Sequence, residues 1–431
     1  MRWTRAAGRG LLVALLLLTG SVASGVPGAG RVPDAGRGPD AGRGPVTLAT
    51  AGDLTGYLGP LLDDWNRARP AEKVTLVELP DSADETRAQM ITDLRSRESR
   101  FDVLNIDVAW TSEFAAAGWI TPLERARFAL GDFLPPVVDT ATYDGRLYAV
   151  PYVTNAGMLF YRADVLAAEG EKPPRTWEQL ERQARTVAPR HGLDGYAGQF
   201  LPYEGLTVNT VEAVYSAGGT VLDDEDGRVA VDSAAGRAGV GFLARGVREG
   251  WIPHEALSYT EEESRRAFQD GRLLFLRNWP YAWAGASGPE SKVAGRFGAV
   301  PLPGPDGPGT SVLGGSNLAV SERARHRATA ADLIAYLTGE DVQRRVLTEG
   351  ALPPVRAGLY EDAELVGRYP YLPALRESVL AARPRPKSPR YDQVSLVVQA
   401  VMHDALAQRQ QPEAAVRRLA AELDAVTTRG R

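Results

Sequence analysis

The sequence predicts an α/β fold, because β-rich runs alternate with helical patterns from the start of the folded part. The β-rich runs occupy residues 46–50, 74–79 and 101–106, and helical patterns lie between them at 58–69 and 84–97. The order strand, helix, strand, helix, strand is typical of a parallel sheet with helices on its faces. With 431 residues, the chain is long enough for two such regions with a substantial core.

A second α/β region follows a predicted hairpin at residues 143–148, whose Asp-Gly pair favours a tight turn. Asn155 then lies in a short polar gap between two strand-like runs, which we interpret as a crossover between lobes. Beyond it, Thr176 is a predicted helix cap and a buried strand is predicted at 273–276. We therefore expect two lobes with a ligand cleft between them. The predicted boundaries are 46–153 and 317–350 for lobe 1, and 154–316 and 351–427 for lobe 2.

The composition argues against several classes of function. The net charge is -5 and there is no long basic block, which argues against a nucleic-acid partner, whose phosphates need a positive face. The chain has no cysteine, so disulfides, thiolate metal sites and cysteine nucleophiles are excluded. Its four histidines are far apart in sequence and show no metal-ligand spacing. We expect a monomer without a metal or a cofactor.

The first residues, 1–24, have the pattern of a secretory signal. Arginines precede a short apolar run at 11–18, and small residues follow it. The run is too short to span a bilayer comfortably. Ser21 stands where a bacterial lipoprotein signal carries its lipidated cysteine, and a serine cannot form the thioether. We expect an extracellular or cell-surface protein that is released after cleavage; retention as an uncleaved anchor is the alternative.

Residues 25–45 form a predicted linker. They are rich in Gly, Pro, Ala and Arg, and the hexapeptide Pro-Asp-Ala-Gly-Arg-Gly occurs at 33–38 and again at 39–44. Such a segment cannot bury enough apolar area to offset the entropy lost on ordering it. We interpret it as a flexible spacer that holds the folded part off a surface.

A cluster of aromatic residues follows the predicted strand at 273–276. The stretch 277–283 reads Arg-Asn-Trp-Pro-Tyr-Ala-Trp, and Pro280 ends the strand. Aromatic residues at this place either pack in the core or form a platform that stacks on the apolar face of a sugar. By itself, the stretch favours core packing.

Two acidic residues, Asp53 and Asp107, each follow a predicted strand. Ligands of α/β sheets bind beyond the carboxyl ends of strands, but an aspartate at such a place more often caps the next helix. A sugar hydrolase needs two carboxyl groups about 5 to 10 Å apart, and Asp53, Asp107 and Glu204 offer such a pair. The sequence contains no phosphate-binding loop, dinucleotide fingerprint or Gly-x-Ser-x-Gly elbow.

Two further segments have backbone or charge that suits a ligand. Gly314 and Gly315 lead into a short predicted strand at 318–320, and adjacent glycines suit a turn as well as close approach of a ligand. A basic loop with regularly spaced prolines at 383–391 carries Arg385 and Arg390.

Six motifs, in one order across almost the whole chain, carry a resemblance to a known family. They are Asn-Ile-Asp-Val-Ala-Trp at 105–110, Ala-Gly-Trp-Ile-Thr-Pro-Leu at 117–123, Tyr-Glu-Gly-Leu at 203–206, Tyr-Ser-Ala-Gly-Gly at 215–219, the aromatic stretch at 277–283 and Leu-Gly-Gly at 313–315. The chain resembles bacterial extracellular solute-binding proteins of ABC importers and is most similar to the trehalose/maltose-binding branch. The resemblance implies a two-lobed periplasmic-binding-protein-like fold that closes on a sugar without catalysis.

Carried over position by position, the resemblance implies a set of ligand-binding residues. Trp279 matches the stacking tryptophan, and Gly315 matches the glycine whose backbone faces the sugar. Two positions depart from the family: Asn155 replaces an acidic residue and so loses a charge, and Ser316 stands where tryptophan is frequent. The implied set is Asp53, Arg87, Asp107, Asn155, Glu204, Trp279, Tyr281, Gly315, Arg385 and Arg390.

The residue types of this set suit a sugar. Planar Asp, Asn and Arg side chains form paired hydrogen bonds with hydroxyl groups, and an aromatic face completes the mixture. The leading hypothesis is a binding protein that captures a disaccharide or oligosaccharide, such as trehalose or a maltose-like sugar, by hinge closure. It would deliver the sugar to the permease subunits of an ABC importer. The alternatives are a secreted sugar hydrolase that uses Asp107 and Glu204, and a sugar sensor without transport.

Overall fold

The structure is a computed structural model that describes residues 42–428, apart from 54, 81, 97 and 224–226. The predicted signal at 1–24 lies outside the described residues, and so does the predicted linker up to residue 41. At the described end of the linker, the Arg43 guanidinium pairs with Glu72 and Asp332 at 3.0 and 2.9 Å. This end of the linker is therefore tied to the folded region.

The described residues form two large sheets and a small hairpin. The strands are β1 (Val46–Ala51), β2 (Val74–Leu79), β3 (Val103–Asp107), β4 (Thr142–Tyr143), β5 (Arg146–Leu147), β6 (Ala149–Ala156), β7 (Met158–Arg162), β8 (Asp194–Ala197), β9 (Leu273–Asn278), β10 (Phe297–Pro301) and β11 (Leu313–Val320). β4 and β5 form the predicted Asp-Gly hairpin, which is confirmed.

Helices surround the two sheets. They are α1 (Leu58–Ala68), α2 (Ala83–Arg95), α3 (Thr111–Ala116), α4 (Pro135–Thr140), α5 (Ala163–Ala168), α6 (Trp177–Thr186), α7 (Glu204–Ser216), α8 (Ala234–Arg248), α9 (Glu261–Gln269), α10 (Ala282–Ser287), α11 (Arg327–Leu337), α12 (Glu340–Thr348), α13 (Ala363–Arg368), α14 (Leu372–Ala381), α15 (Tyr391–Leu406) and α16 (Pro412–Thr428). No helix in the described part of the chain is long and apolar enough to cross a membrane.

The first sheet has five strands in the order β2-β1-β3-β11-β6. β1 pairs in parallel with both β2 and β3, so the predicted parallel arrangement of the first three strands is confirmed. β11 is antiparallel to β3 and to β6. α1 packs on this sheet because its apolar residues, among them Leu61 and Trp65, recur at helical spacing and are buried.

The second sheet has four strands in the order β10-β7-β9-β8. β9 lies inside this sheet and every one of its residues is buried, which explains its continuous apolar run of Leu-Leu-Phe-Leu. α6 and α9 contact β8 and β9. α7, α8, α15 and α16 pack against one another as a helical cluster.

The two sheets are joined where β6 ends and β7 begins, with Gly157 between them. The chain returns to the first sheet at the start of β11, directly after Val312. The predicted lobe boundaries stay a prediction. β6 and β11 run through two of those boundaries, and both strands belong to the first sheet.

One prediction for the return to the first sheet was wrong. The residues 313–317 were expected to lead into a short strand at 318–320, but β11 is a single strand that begins at Leu313. The glycines there have little strand preference of their own. Pairing with β6 on one side and with β3 on the other holds the segment extended.

Gly315 should be essential for this strand. Its φ is +104°, and a Cβ built on it would lie 2.1 Å from the carbonyl oxygen of Val153. Gly315→Ala should therefore lower the free energy of unfolding by about 3 kcal/mol in chemical denaturation. Gly241→Ala is the matched control, because Gly241 lies in α8 with open space at its Cβ position and should stabilise slightly. Equal stability of the two variants would contradict the expected strain.

Candidate functional site

The candidate site lies where strands of the first sheet end and the chain crosses to the second sheet. Asp107 is the last residue of β3 and lies opposite Ser316 of β11. Asn155, near the end of β6, lies opposite Gly314 of β11. The pairing therefore brings Asp107, Asn155 and Gly315 to one region of the sheet, as the carboxyl-end rule for ligand sites predicts.

Arg385 connects this region to the helical cluster. Its guanidinium donates to the Glu204 carboxylate at 2.6 Å and also pairs with Asp107. The Arg385 side chain is only 2% exposed, and Asp107 keeps 23% of its side chain exposed. The Asp107 carboxylate also accepts from the Ala109 amide at 2.8 Å, so it caps the short turn after β3 as well as binding Arg385. Arg385 Nε is buried and has no hydrogen-bond partner.

Glu204, which binds Arg385, is itself held by hydrogen bonds inside the protein. It begins α7 and is buried, and its two oxygens accept from the hydroxyls of Tyr391 and Ser395 at 2.5 Å each. Burial raises the pKa of Glu204 above its ordinary value, against the lowering effect of the Arg385 charge. Both carboxylate oxygens of Glu204 are therefore occupied by protein groups.

Trp279 lies beside Asn155. A Cβ built on Gly314 would be 2.9 Å from the Trp279 ring and 3.3 Å from the Asn155 Cβ, so glycine is what lets the three come together. The Asn155 Oδ1 atom is buried and has no hydrogen-bond partner. Buried acceptors are normally paired, so this unpaired atom keeps Asn155 among the candidate ligand-binding residues.

The remaining predicted residues have protein partners of their own. The Asp53 carboxylate accepts from the Gly56 and Leu58 amides at 2.9 and 2.7 Å, which is the capping alternative for that residue. Tyr281 donates from its hydroxyl to Glu262 at 2.8 Å. Arg390, in the basic loop, donates to a backbone carbonyl of α16 at 2.9 Å.

Arg87 also connects separate elements. Its guanidinium pairs with Glu113 of α3 and lies 3.2 Å from a carboxylate oxygen of Asp392 at the start of α15. Burial raises the pKa of Glu113, and the Arg87 charge opposes that rise. These two partners were missed by the sequence analysis, because no local pattern links α3 and α15 to α2. The spacing of acidic and basic residues within one helix carries no information on them.

A second missed pair lies under Trp279. Arg277 and Glu212 are both buried and form two hydrogen bonds of 2.7 Å, and the Arg277 guanidinium carbon is 4.0 Å from the centroid of the Trp279 ring. The basic residue of the Arg-Asn-Trp-Pro motif was the only signal for it in the sequence. Among the described residues, no cluster of histidine and carboxylate side chains is arranged to hold a metal ion.

Comparison with known proteins gives the class to which this architecture belongs. The family model described as bacterial extracellular solute-binding protein matches residues 51–344. A protein of Deinococcus radiodurans, described as a probable ABC transporter-binding protein, is 31% identical over 378 residues, covering 85% of this chain and 90% of that protein. The chain therefore belongs to the bacterial extracellular solute-binding protein family.

Solved structures agree with the fold. The maltose-bound MalE3 of T. maritima is 34% identical, with a TM-score of 0.82 over 89% of this chain and 99% of that chain. A solute-binding protein of Agrobacterium vitis with bound D-mannitol has a TM-score of 0.74 at 23% identity, over 89% of this chain and 98% of that chain. The predicted two-lobed fold class is confirmed. The trehalose/maltose branch stays a prediction.

Removing Arg385 should expose the cost of the buried carboxylate that it neutralises. Arg385→Met should lower the free energy of unfolding by about 3 kcal/mol or more at pH 7, measured by chemical denaturation, because Glu204 then keeps a buried charge without its cation. Arg67→Met is the control, since the Arg67–Asp64 pair is largely exposed, and its stability should not change measurably.

The loss in Arg385→Met should also depend on pH. Without the arginine charge, the pKa of Glu204 in the folded protein rises further above its unfolded value, so stability is retained at low pH and lost as the pH rises through that pKa. The difference between wild type and variant should therefore shrink as the pH falls from 7 to 5. A difference that does not change with pH would contradict a charged Glu204.

Proposed function

We propose that this protein is the substrate-binding component of an ABC sugar importer. It captures an uncharged disaccharide of the trehalose or maltose type by closure of its two lobes and delivers it to the permease subunits in the membrane. The N-terminal pattern at 1–24, with Ser21 at the lipid position, favours export and release without a lipid anchor.

The observation that carries the proposal is that Trp279 lies near a buried hydrogen-bond acceptor that has no partner. The Trp279 ring is partly exposed, and Asn155 Oδ1 lies near it without a hydrogen bond. Sugars present an apolar face rimmed by hydroxyl donors, and an aromatic ring beside an unpaired acceptor matches both features. Arg385 Nε is an unpaired donor in the same candidate set, and a sugar hydroxyl accepts as well as donates.

The charges of the candidate set favour an uncharged ligand. Arg385 is paired with Asp107 and Glu204, and Arg87 is paired with Glu113 and Asp392. An anionic or cationic solute would have to compete with these internal pairs, whereas a neutral polyhydroxyl solute would only add hydrogen bonds.

The relatives support a sugar ligand and a role in transport. The MalE3 structure of T. maritima, 34% identical, holds maltose. The D. radiodurans relative bears the description of an ABC transporter-binding protein. Closure is supported by ion pairs that join the end of the first sheet to the helical cluster, since Arg385 binds Asp107 of β3 and Glu204 of α7 together.

The geometry gives no support to a hydrolase that uses Asp107 and Glu204. A general acid must reach the glycosidic oxygen, but Glu204 is 7% exposed and its two oxygens accept from protein groups. The same arginine binds both carboxylates, which suits a scaffold for binding.

Calorimetric titration with trehalose, then maltose and longer maltodextrins, tests the ligand. We expect saturable binding at one site, with the sugar recovered unchanged. Trp279→Ala should weaken binding by about 1 to 3 kcal/mol without unfolding the protein, because a stacking face is lost. Trp177→Ala is the control. The Trp177 ring, in α6, stacks on Phe242 of α8 at 4.3 Å, so this variant should bind the sugar with unchanged affinity. Hydrolysis of the sugar, or equal affinity of the Trp279 variant and wild type, would contradict the proposal.

Asn155 separates binding from stability. Asn155→Ala should weaken sugar binding by about 1 kcal/mol but leave stability unchanged or slightly higher, because its Oδ1 atom makes no hydrogen bond within the protein. Asn66→Ala should instead lower stability and leave affinity unchanged, since both ends of the Asn66 amide form hydrogen bonds with the Val74 backbone, at 2.6 and 3.1 Å. Calorimetry and thermal unfolding of both variants give the comparison. Loss of stability with unchanged affinity in Asn155→Ala would assign that residue a structural role only.

A further inference from the structure

A buried ion pair lies directly beneath Trp279. Arg277, in β9, donates from Nε and Nη2 to the two oxygens of Glu212, in α7, at 2.7 Å each. A third nitrogen of Arg277 donates to Gln199 at 3.0 Å. The side chains of Arg277 and Glu212 are 1% and 5% exposed. This geometry fixes the guanidinium plane, because bidentate bonds to one carboxylate leave it little freedom to rotate.

The fixed guanidinium in turn supports the indole. The guanidinium carbon of Arg277 lies 4.0 Å from the centroid of the Trp279 ring, within the range of a cation–π contact. The edge of the same ring meets Gly314 of β11. The ring is thus contacted on one face by Arg277 and at one edge by Gly314, and both contacts restrict its orientation.

The other end of the ion pair reaches the two segments that join the sheets. Glu212 accepts from the Ser311 hydroxyl at 2.8 Å and from the Val312 amide at 3.3 Å, just before β11. The Ser311 hydroxyl oxygen accepts from the Gly157 amide at 2.6 Å, between β6 and β7. A Cβ on Gly157 would lie 2.5 Å from a Glu212 oxygen, so the backbone passes as close to the carboxylate as glycine allows.

We infer that Arg277 and Glu212 are positioning residues, which hold the Trp279 ring for ligand stacking and link it to both inter-sheet segments. The inference rests on the proposed function, because Trp279 is the stacking residue of that proposal. Neither residue touches the ligand. They act through Trp279 on one side and through Ser311 and Gly157 on the other, so ligand stacking and the geometry of the connecting segments depend on one buried contact.

A double-mutant cycle tests this action through Trp279. The pair is neutralised together, as Arg277→Met with Glu212→Gln, so that no single charge is left buried. Sugar affinity, measured by calorimetry with maltose and trehalose, should fall about tenfold in the wild-type background. In the Trp279→Leu background the same double substitution should cost less than about twofold, since the ring it supports is gone. Equal losses in the two backgrounds would overturn the inference.

Conservative and matched variants separate positioning from general destabilisation. Arg277→Lys keeps a cation near the ring and should retain more affinity than Arg277→Met with Glu212→Gln. Neutralising another local pair, as Arg162→Met with Asp164→Asn, should leave affinity unchanged, because that pair lies at the far end of β7 from Gly157. If the Arg277 and Glu212 variant does not fold, Ser311→Ala provides a milder test with a smaller effect in the same direction.

A measurement without ligand distinguishes failure of this inference from failure of the proposed sugar. The indole N–H signal of Trp279, assigned by its loss in Trp279→Leu, is followed by NMR in the free protein. It should shift in the Arg277 and Glu212 variant and shift less in Ser311→Ala, while the Trp177 signal stays in place. If the wild-type protein binds none of the sugars, the proposed ligand is wrong, and the NMR result still decides the positioning role. An unchanged Trp279 signal would overturn it.

Discussion

The buried carboxylate of Glu212 connects three parts of this molecule: α7, β9 and the segment before β11. A buried charge without partners costs several kcal/mol, so the groups that pair with it must stay where they are. Those groups come from two places: Arg277 in β9, and the adjacent Ser311 and Val312 before β11. An inner strand of the second sheet, α7 and the return to the first sheet are therefore fixed relative to one another by one side chain.

The candidate site repeats this principle around Arg385. A single buried guanidinium holds Asp107, at the end of β3, and Glu204, at the start of α7. The site thus has its ionic interactions before any ligand arrives, and what remains for a ligand is neutral hydrogen bonding and an aromatic face. This pairing of the charges is the reason for proposing an uncharged solute. Within the predicted set, Arg385 Nε is a buried donor without a partner and Asn155 Oδ1 is a buried acceptor without one.

Local sequence signals predicted the elements well where the chemistry is local. The capping box of α6 joins Thr176 and Gln179, three residues apart, and the hairpin turn uses the positive φ of Gly145. α8 was not predicted from the sequence, because several glycines lower its helix propensity. A Cβ on Gly239 would lie 2.7 Å from the backbone of Ala213 in α7, so this glycine lets two helices pack closely. The requirement for this glycine therefore comes from a neighbour that is distant in sequence.

The sequence by itself determined the class of fold, the parallel arrangement of the first strands, the family and the set of residue types suited to a sugar. Strand periodicity, caps and motifs are short-range properties, so a single chain is enough to show them. Only the tertiary structure decided which charges pair. It joined Arg87 to Asp392, Arg385 to Glu204 and Arg277 to Glu212. These partners come from different elements, and a pairing of that kind depends on distances that exist only once the sheets and helices have packed.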